Sequence, residues 1–447
     1  MSLNFKSTRL RTSALIPAVA ILVFAAASNF ATAATLCVNP GGKSGCKSTI
    51  SAAVAAAAAG DVIQVAKGTY NEQVTITKPI SLVASPRVFD RPVIDATGLS
   101  NGILVSGMAT APNPGVWNVI VSGFEVRNAN FEGILVVNAS NVTLLDNHVL
   151  NNDKSLLPGT GVCTGIPAFE TNEGDDCGEG IHLMAVDHST LSRNLVENNS
   201  GGILISDETG PTSNNLIKGN IVRYNGWDCG ITLASHGPAT SLIPSAHLPF
   251  GISRNVISDN DSHHNGLLAP GAGAGVGIFA PFPGTTNTAN VVIHNDLHDN
   301  GLPGVTMHNH AFAPSPAPGV NLNDNAIIGN TIHGNAADTD DAFTPGSTGI
   351  NIYSTAPIWG TVIAQNYFTD QAINIAFKAP VGNLIVHLND FEDRGIGIDN
   401  LGSGTIDATQ NWWNCGPPSA TCSSVVGSGI TTAPWLNAPY RSTPDAF

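Results

Sequence analysis

Charge is scarce in this sequence. Asp, Glu, Lys and Arg make up only 11% of the 447 residues, and 18 basic residues face 33 acids, a formal net charge of −15. So acidic a chain lacks the positive field that nucleic acid or an anionic membrane surface requires. Neither is expected as a partner, and a polyanionic glycan would need a bridging cation. Low charge together with 42% hydrophobic residues also excludes a solvated, disordered chain. Beyond the first 33 residues no apolar run approaches the roughly 20 residues of a membrane helix, so no membrane span is expected.

The first 33 residues read differently. Lys6, Arg9 and Arg11 stand before the apolar run "ALIPAVAILVFAAA", which ends near the small-residue triplet "ATA" at 31–33. This is the pattern of a secretory signal. The expectation is a signal peptide over 1–33 and one secreted domain over 34–447, extracellular or periplasmic, acting as a monomer. Seven cysteines then sit in an oxidising compartment. Three close pairs suggest local staples, Cys37 with Cys46, Cys163 with Cys177 and Cys415 with Cys422, and Cys229 is left over.

What the sequence has in quantity is a repeated frame. "NVISDNDSHHNG" (255–266) aligns with "NVVIHNDLHDNG" (290–301), "NAIIGNTIHGN" (325–335) and "NLIKGNIVRYNG" (215–226). The common core is N-x-h-x-x-N, where h is apolar. Its first Asn falls at 147, 194, 220, 260, 295, 330, 366 and 389. A strand opening on Gly-Ile or a close variant follows each copy: "EGIHLM", "GGILIS", "CGITLA", "GVGIFA", "PGVTMH", "TGINIY", "AINIAF". The spacing of 23 residues between Asn366 and Asn389 holds three short strands and three turns, and no helical period fits inside. Such a unit reads as an all-β solenoid. Asn recurring at one turn of each coil predicts a column in which each side-chain amide bonds the coils above and below.

The unit resembles the right-handed parallel β-helix of the pectate-lyase-like superfamily. "STISAAVAAAAAGDVIQVAKGTY" (48–70) is similar to the Ala-rich capping helix and first strand of its NosD-like branch, within an N-terminal cap over 34–70. "NWWNCGPPSATC" (411–422) is similar to that branch's final cap, here 411–447. The resemblance implies that the Asn column lies between the second and third sheets. It also implies a glycan cleft along the first sheet, formed by the Gly-Ile strands. The superfamily includes lyases, hydrolases, epimerases and non-enzymes, so fold alone does not select an activity.

The residues support that cleft independently. The long insertions, 153–178, 235–250, 267–275, 308–323 and 336–347, all avoid the Asn turn, and long loops on a rigid scaffold are where sites gather. One outward column of the first sheet reads His182, Leu204, Thr232, Phe279, Thr306, Asn351, Asn374. The next reads Met184, Ser206, Ala234, Pro281, His308, Tyr353, Ala376. His308 and Tyr353 thus fall on adjacent coils beside Thr306 and Asn351, with His310, His236, Glu208 and Lys378 just beyond and Asp228 in a turn. These are parts for β-elimination or C5 epimerisation of a uronate: His308 as base, Tyr353 as acid, Asn351 on the carboxylate. The Lys or Arg base common among pectate lyases has no match except Lys378 nearby.

Two other functions compete. Glycoside hydrolysis needs paired carboxylates, and "NEGDDCGEG" (172–180) supplies Asp175, Asp176 and Glu179, with Asp228 further on. "DDC" and the "SHG" at 235–237 resemble polygalacturonase motifs whose companions are missing. The same acids, Asp175, Asp176 and Glu179, offer Ca²⁺ its oxygen ligands. The non-enzymatic alternative is a surface β-helix that binds glycan or serves as structure. His263, His298 and His333 share one slot on three coils, facing out from the third sheet: a surface ladder of rings, or a divalent metal site with Asp261 and Asp296.

Overall fold

In the computed structural model the described residues are 33–85, 91–110, 115–157, 162–165, 178–236, 250–281, 284–309, 321–339 and 344–442. The signal expected over 1–33 lies outside them except for its last residue. The chain winds through three long sheets in fixed order. Strands such as Gly201–Ser206, Ile231–Ala234, Val276–Phe279, Val305–His308 and Thr348–Tyr353 stack in the first sheet. Leu216–Lys218, Val256–Ser258 and Val291–Ile293 belong to the second. Ile221–Arg223, Asp261–His263 and Asp296–His298 belong to the third. Pairing between coils is parallel throughout, as in Ile231↔Val276 and Val276↔Val305. Among the described residues only Leu156–Leu157 and Val162–Cys163 pair antiparallel. This is a parallel β-helix.

Alternation explains the strands. Ile203, Ile231, Val276, Val305 and Ile350 share one register line and are wholly buried. β-branched side chains suit such a column because they are already stiff at χ1 and pack on a pleated surface. Burial of each stabilises by about 1.5–3 kcal/mol.

The turns are built on asparagine. Asn147, Asn194, Asn220, Asn260, Asn295, Asn330, Asn366, Asn389 and Asn411 form one column, each donating its backbone N–H and its Nδ2 to the next Oδ1. Asp146, Arg193, Asp259, His294 and Gln365, each preceding a ladder Asn, are left-handed with φ of 54–61°. That conformation costs an L-residue roughly 1–2 kcal/mol, which the paired amides offset. The second Asn of the motif forms its own column, Asn152, Asn199, Asn225, Asn265, Asn300, Asn335, at the turn into the first sheet. A third column, Asn215, Asn255, Asn290, Asn325, stands at the turn into the second sheet. The sequence predicts one column; among the described residues the structure has three.

The second column accounts for the Gly-Ile signature. A Cβ on Gly230 would lie 2.6 Å from Asn265 Nδ2 and 2.1 Å from Ser262 Oγ; one on Gly133 would lie 2.6 Å from Asn152 Nδ2. Glycine there makes room for the amide ladder.

The ends are closed. Helix Ile50–Ala56 begins where Thr49 Oγ1 accepts from Ala52 N–H and the Glu72 carboxylate accepts from Ile50 and Ser51 N–H at 2.8 and 2.9 Å. Its buried Ile50, Ala53 and Val54 join the core. At the other end Trp413 is wholly buried against Phe391, and Cys415–Cys422 ties the loop beyond it. Caps of this kind keep the last strand edges from pairing with other chains.

Cys37–Cys46 is also bridged, and Cys163 is disulfide-bonded, while Cys177 lies outside the described residues. Cys229 is a free, buried thiol, raised well above its usual range by burial and by Asp228. Alkylation of the unreduced protein is therefore expected to label nothing while folded and Cys229 alone once unfolded. Labelling of Cys163 or of any cysteine other than Cys229 would contradict this pairing.

Candidate functional site

The long connections do flank the first sheet. Those over 153–178, 267–275 and 336–347 lead into it, and those over 235–250 and 308–323 lead out. His182, Leu204 and Thr232 align as expected, as do Thr306 with Asn351 and His308 with Tyr353. Two coils are offset by two residues. Thr232 pairs with Gly277, so Phe279, not Pro281, sits beside His308. The reading from sequence took Gly277 as the marker glycine. The one packed against the ladder is Gly275, whose added Cβ would come within 3.1 Å of Asn300 Nδ2. Likewise Asn351 pairs with Ala376 and Tyr353 with Lys378. Asn374 follows the glycine line, in register with Gly349 rather than with Asn351, and is buried.

The corrected columns carry two polar clusters separated by an apolar floor. The floor is Leu204, Cys229, Ala234, Ala274, Phe279 and Leu302.

One cluster centres on His308. Its Nε2 lies 3.1 Å from Asp338 Oδ2, and Asn351 Nδ2 donates to the same oxygen at 2.6 Å. His308, Asp338 and Asn351 are each at most 1% exposed. The Tyr353 ring meets His308 edge-on at 6.0 Å, and Phe279 meets it from the other side at 6.0 Å. Lys378 Nζ stands 5.6 Å over the Tyr353 ring and is exposed. Asp338 was not singled out in the sequence. It belongs to the 336–347 connection, and nothing in its neighbours shows that this loop folds back on His308. His310 lies outside the described residues.

The other cluster centres on His182. Nδ1 lies 3.4 Å from Glu132 Oε1 and 3.8 Å from Glu179 Oε2. Nε2 shares a 2.7 Å hydrogen bond with Ser206 Oγ, which donates to Glu208, and Glu208 Oε1 is 2.7 Å from His236 Nδ1. Burial alone would raise Glu208, but His236 beside it holds the carboxyl down to about 2. Burial, then the Glu208 charge, push neighbouring Asp207 up to about 7. Asp207 accepts from Ser235 Oγ and from the backbone N–H of His236 and Gly251, so it fastens the outgoing loop. Asp228 accepts from Thr232 Oγ1 at 3.2 Å, and it flanks Gly201 opposite Glu179. Asp175 and Asp176 lie outside the described residues. Glu132 was missed, although "EGILVV" at 132–137 repeats the frame of "EGIHLM" at 179–184 one coil earlier.

The repeated histidines lie elsewhere. His263, His298 and His333 are on the third sheet and stack at 4.7 Å with interplanar angles of 9° and 4°. A hydrogen bond with Asp261, and against burial a second with Asp299, raise His298 to about 9 from 6.5. A raised imidazole stabilises the fold fully below pH 6.5, and that contribution is lost as pH rises through about 9. In chelator-treated protein, His298→Gln should lower the melting temperature at pH 6 by the equivalent of under about 1 kcal/mol, the scale of a half-exposed ion pair. The gap should close by about pH 10, above the folded-state value. An equal gap at both ends would show that the charge is irrelevant.

Comparison with known proteins bears on the fold. A family model described as a right-handed β-helix region matches residues 97–243. No curated protein matches the sequence. An alginate lyase from Paenibacillus sp. is similar in structure, with 13% identity and a TM-score of 0.48, over 78% of this chain and 99% of that one. So is the A-module of a mannuronan C-5 epimerase from Azotobacter vinelandii, with 15% identity and a TM-score of 0.45, over 86% and 93%. A lacto-N-biosidase from Eubacterium ramulus gives 12% identity and a TM-score of 0.48 over 90% and 67%. Coil order, parallel register and the matched region together make this chain a right-handed parallel β-helix.

Proposed function

We propose that the protein is a secreted enzyme that processes a uronate-containing polysaccharide by taking a proton from C5, as in β-elimination or C5 epimerisation, in the cleft over the first sheet. The observation that carries this reading is the His308–Asp338 contact with Tyr353 on the next coil. A buried carboxylate against one ring nitrogen fixes the imidazole and favours its cationic form once it has accepted a proton. His308 is the base and Tyr353 the acid that protonates the leaving oxygen, or returns a proton to the opposite face. Asn351 departs from its expected role: its amide donates to Asp338, so it positions that carboxylate. Lys378, exposed and next to Tyr353, is the better partner for the uronate carboxylate. The apolar floor suits the C–H face of a sugar ring.

Glu132 and Glu179 face His182 in a buried cluster, and Glu132 Oε2 has no hydrogen-bond partner among the described residues. These two carboxylates are where Ca²⁺ would sit, supplying the positive charge that an acidic protein needs beside an anionic chain. The neighbouring structures include enzymes acting on alginate and mannuronan, which supports the substrate class. Disulfide-bonded cysteines support an oxidising compartment. No helix among the described residues is long and apolar enough to cross a membrane.

The test is a panel of polymannuronate, polyguluronate, polygalacturonate and glucuronate-containing glycans, followed by product absorbance and by uronate composition. Unsaturated product or altered C5 configuration is expected. New reducing ends without unsaturation would instead select hydrolysis through Glu132, Glu179 and Asp228. Retention on a glycan column without turnover would select a binding protein.

A further inference from the structure

The motif written twice, "NDSHHNG" and "NDLHDNG", plays no part in the cleft, yet its side chains converge. His263 pairs in register with His298, and His298 with His333. Asp261 Oδ1 lies 3.9 Å from His263 Nε2 and 3.4 Å from His298 Nε2, so both rings turn their Nε2 edge the same way. Their Nδ1 edges therefore face the other side together. On that side each ring meets the residue that follows it. His263 Nδ1 is 2.9 Å from His264 Nδ1, and His298 Nδ1 is 2.8 Å from Asp299 Oδ2. His264 and Asp299 are equivalent turn residues, left-handed at φ 55° and 54°, each preceding a ladder Asn.

We propose that His263, His264 and His298, with Asp299 as a fourth ligand, hold one divalent transition-metal ion of the Cu²⁺ or Ni²⁺ kind on the outer face of the third sheet. The three imidazoles offer one ligand atom each within 4.8 Å of one another. Ligands at about 2.0 Å and 90° to each other sit about 2.8 Å apart, whereas a tetrahedral pair is wider, and a tetragonal set of nitrogen and oxygen donors suits Cu²⁺ or Ni²⁺. That spacing is found within each pair. A modest inward rotation of the partly exposed rings draws the two pairs onto one ion. The surroundings favour a cation: Asp261 and Asp296 flank the rings, and the nearby Arg223 is neutralised by Glu197 at 2.8 Å. Asp296, His298 and His333 form a second, overlapping group with one imidazole fewer. Metal binding at His298 Nδ1 must displace the proton on that nitrogen, which faces Asp299, so uptake releases protons.

The experiment uses the full chain freed of metal by chelator and titrated calorimetrically with CuCl₂ and NiCl₂, in two buffers of different ionisation enthalpy. One ion per chain is expected, with proton release, and with nitrogen hyperfine structure in the Cu²⁺ paramagnetic resonance spectrum. His264→Asn keeps a residue that tolerates the left-handed turn. It and His298→Gln should each weaken binding by at least about 100-fold, the upper range for losing even an outer partner of a metal ligand. His333→Gln should leave affinity and stoichiometry unchanged. Circular dichroism of each variant checks that the coil is intact. The proposal is overturned if wild-type protein binds no ion. It is equally overturned if His264→Asn and His298→Gln bind as wild type does, which would place the ion elsewhere. Loss on His333→Gln but not on His264→Asn would move the ion to the second group.

Discussion

Replacing His308 by Ala should lower turnover on an active uronate glycan by about a hundredfold or more, the usual contribution of a general acid or base. Ala also removes a ring packed between Phe279 and Tyr353 and strips Asp338 of its imidazole partner, so stability will fall as well. His308→Gln separates the two effects. It retains bulk and a donor for Asp338 but cannot accept a proton, so the same loss of turnover should come with a smaller change in melting temperature. Asp338→Asn should lower turnover less than His308→Ala while leaving KM near its wild-type value, because Asp338 acts through the imidazole. Activity surviving His308→Gln would remove His308 from the chemistry.

Asn295→Ala should cost about 3 kcal/mol, the upper end for leaving buried polar groups unpaired. Asn295 Oδ1 accepts from both the backbone N–H and Nδ2 of Asn260, and its own Nδ2 donates to Ile257 O and Asn330 Oδ1. The alanine leaves Asn260 N–H and Ile257 O buried without these partners, in the middle of the column. The melting temperature should fall by several degrees with activity per folded molecule retained. An unchanged melting temperature would mean that the ladder contributes nothing net.

The parts of this protein that repeat were legible, and those that occur once were not. The N-x-h-x-x-N frame places its first Asn at a turn ahead of a short strand, and periodicity carries that information along the chain. It also locates His308 and Tyr353 on adjacent coils, since register follows from counting. Counting fails where the marker is ambiguous. "GVGIFA" offers two glycines, and only the Asn300 amide decides that Gly275 faces inward. Asp338 was out of reach for a different reason. Its contact with His308 depends on the path of a non-repeating loop, and no local pattern encodes it. Glu132 was within reach, since its Glu-Gly-Ile context duplicates that of Glu179, but a lone acid one coil earlier gains meaning only beside His182. The three stacked histidines are legible as a column, whereas their pairing with His264 and Asp299 rests on left-handed turn residues that the sequence does not announce.

The central claim is that the first-sheet cleft breaks a carbon–hydrogen bond at C5. The most direct measurement is proton resonance of a turned-over uronate glycan in deuterium oxide. Loss of the C5–H signal is expected with wild-type protein, through elimination or through exchange for deuterium, and retention of that signal is expected with His308→Gln. Cleavage of the glycan with C5–H fully retained in the products would contradict the account and assign the cleft to hydrolysis.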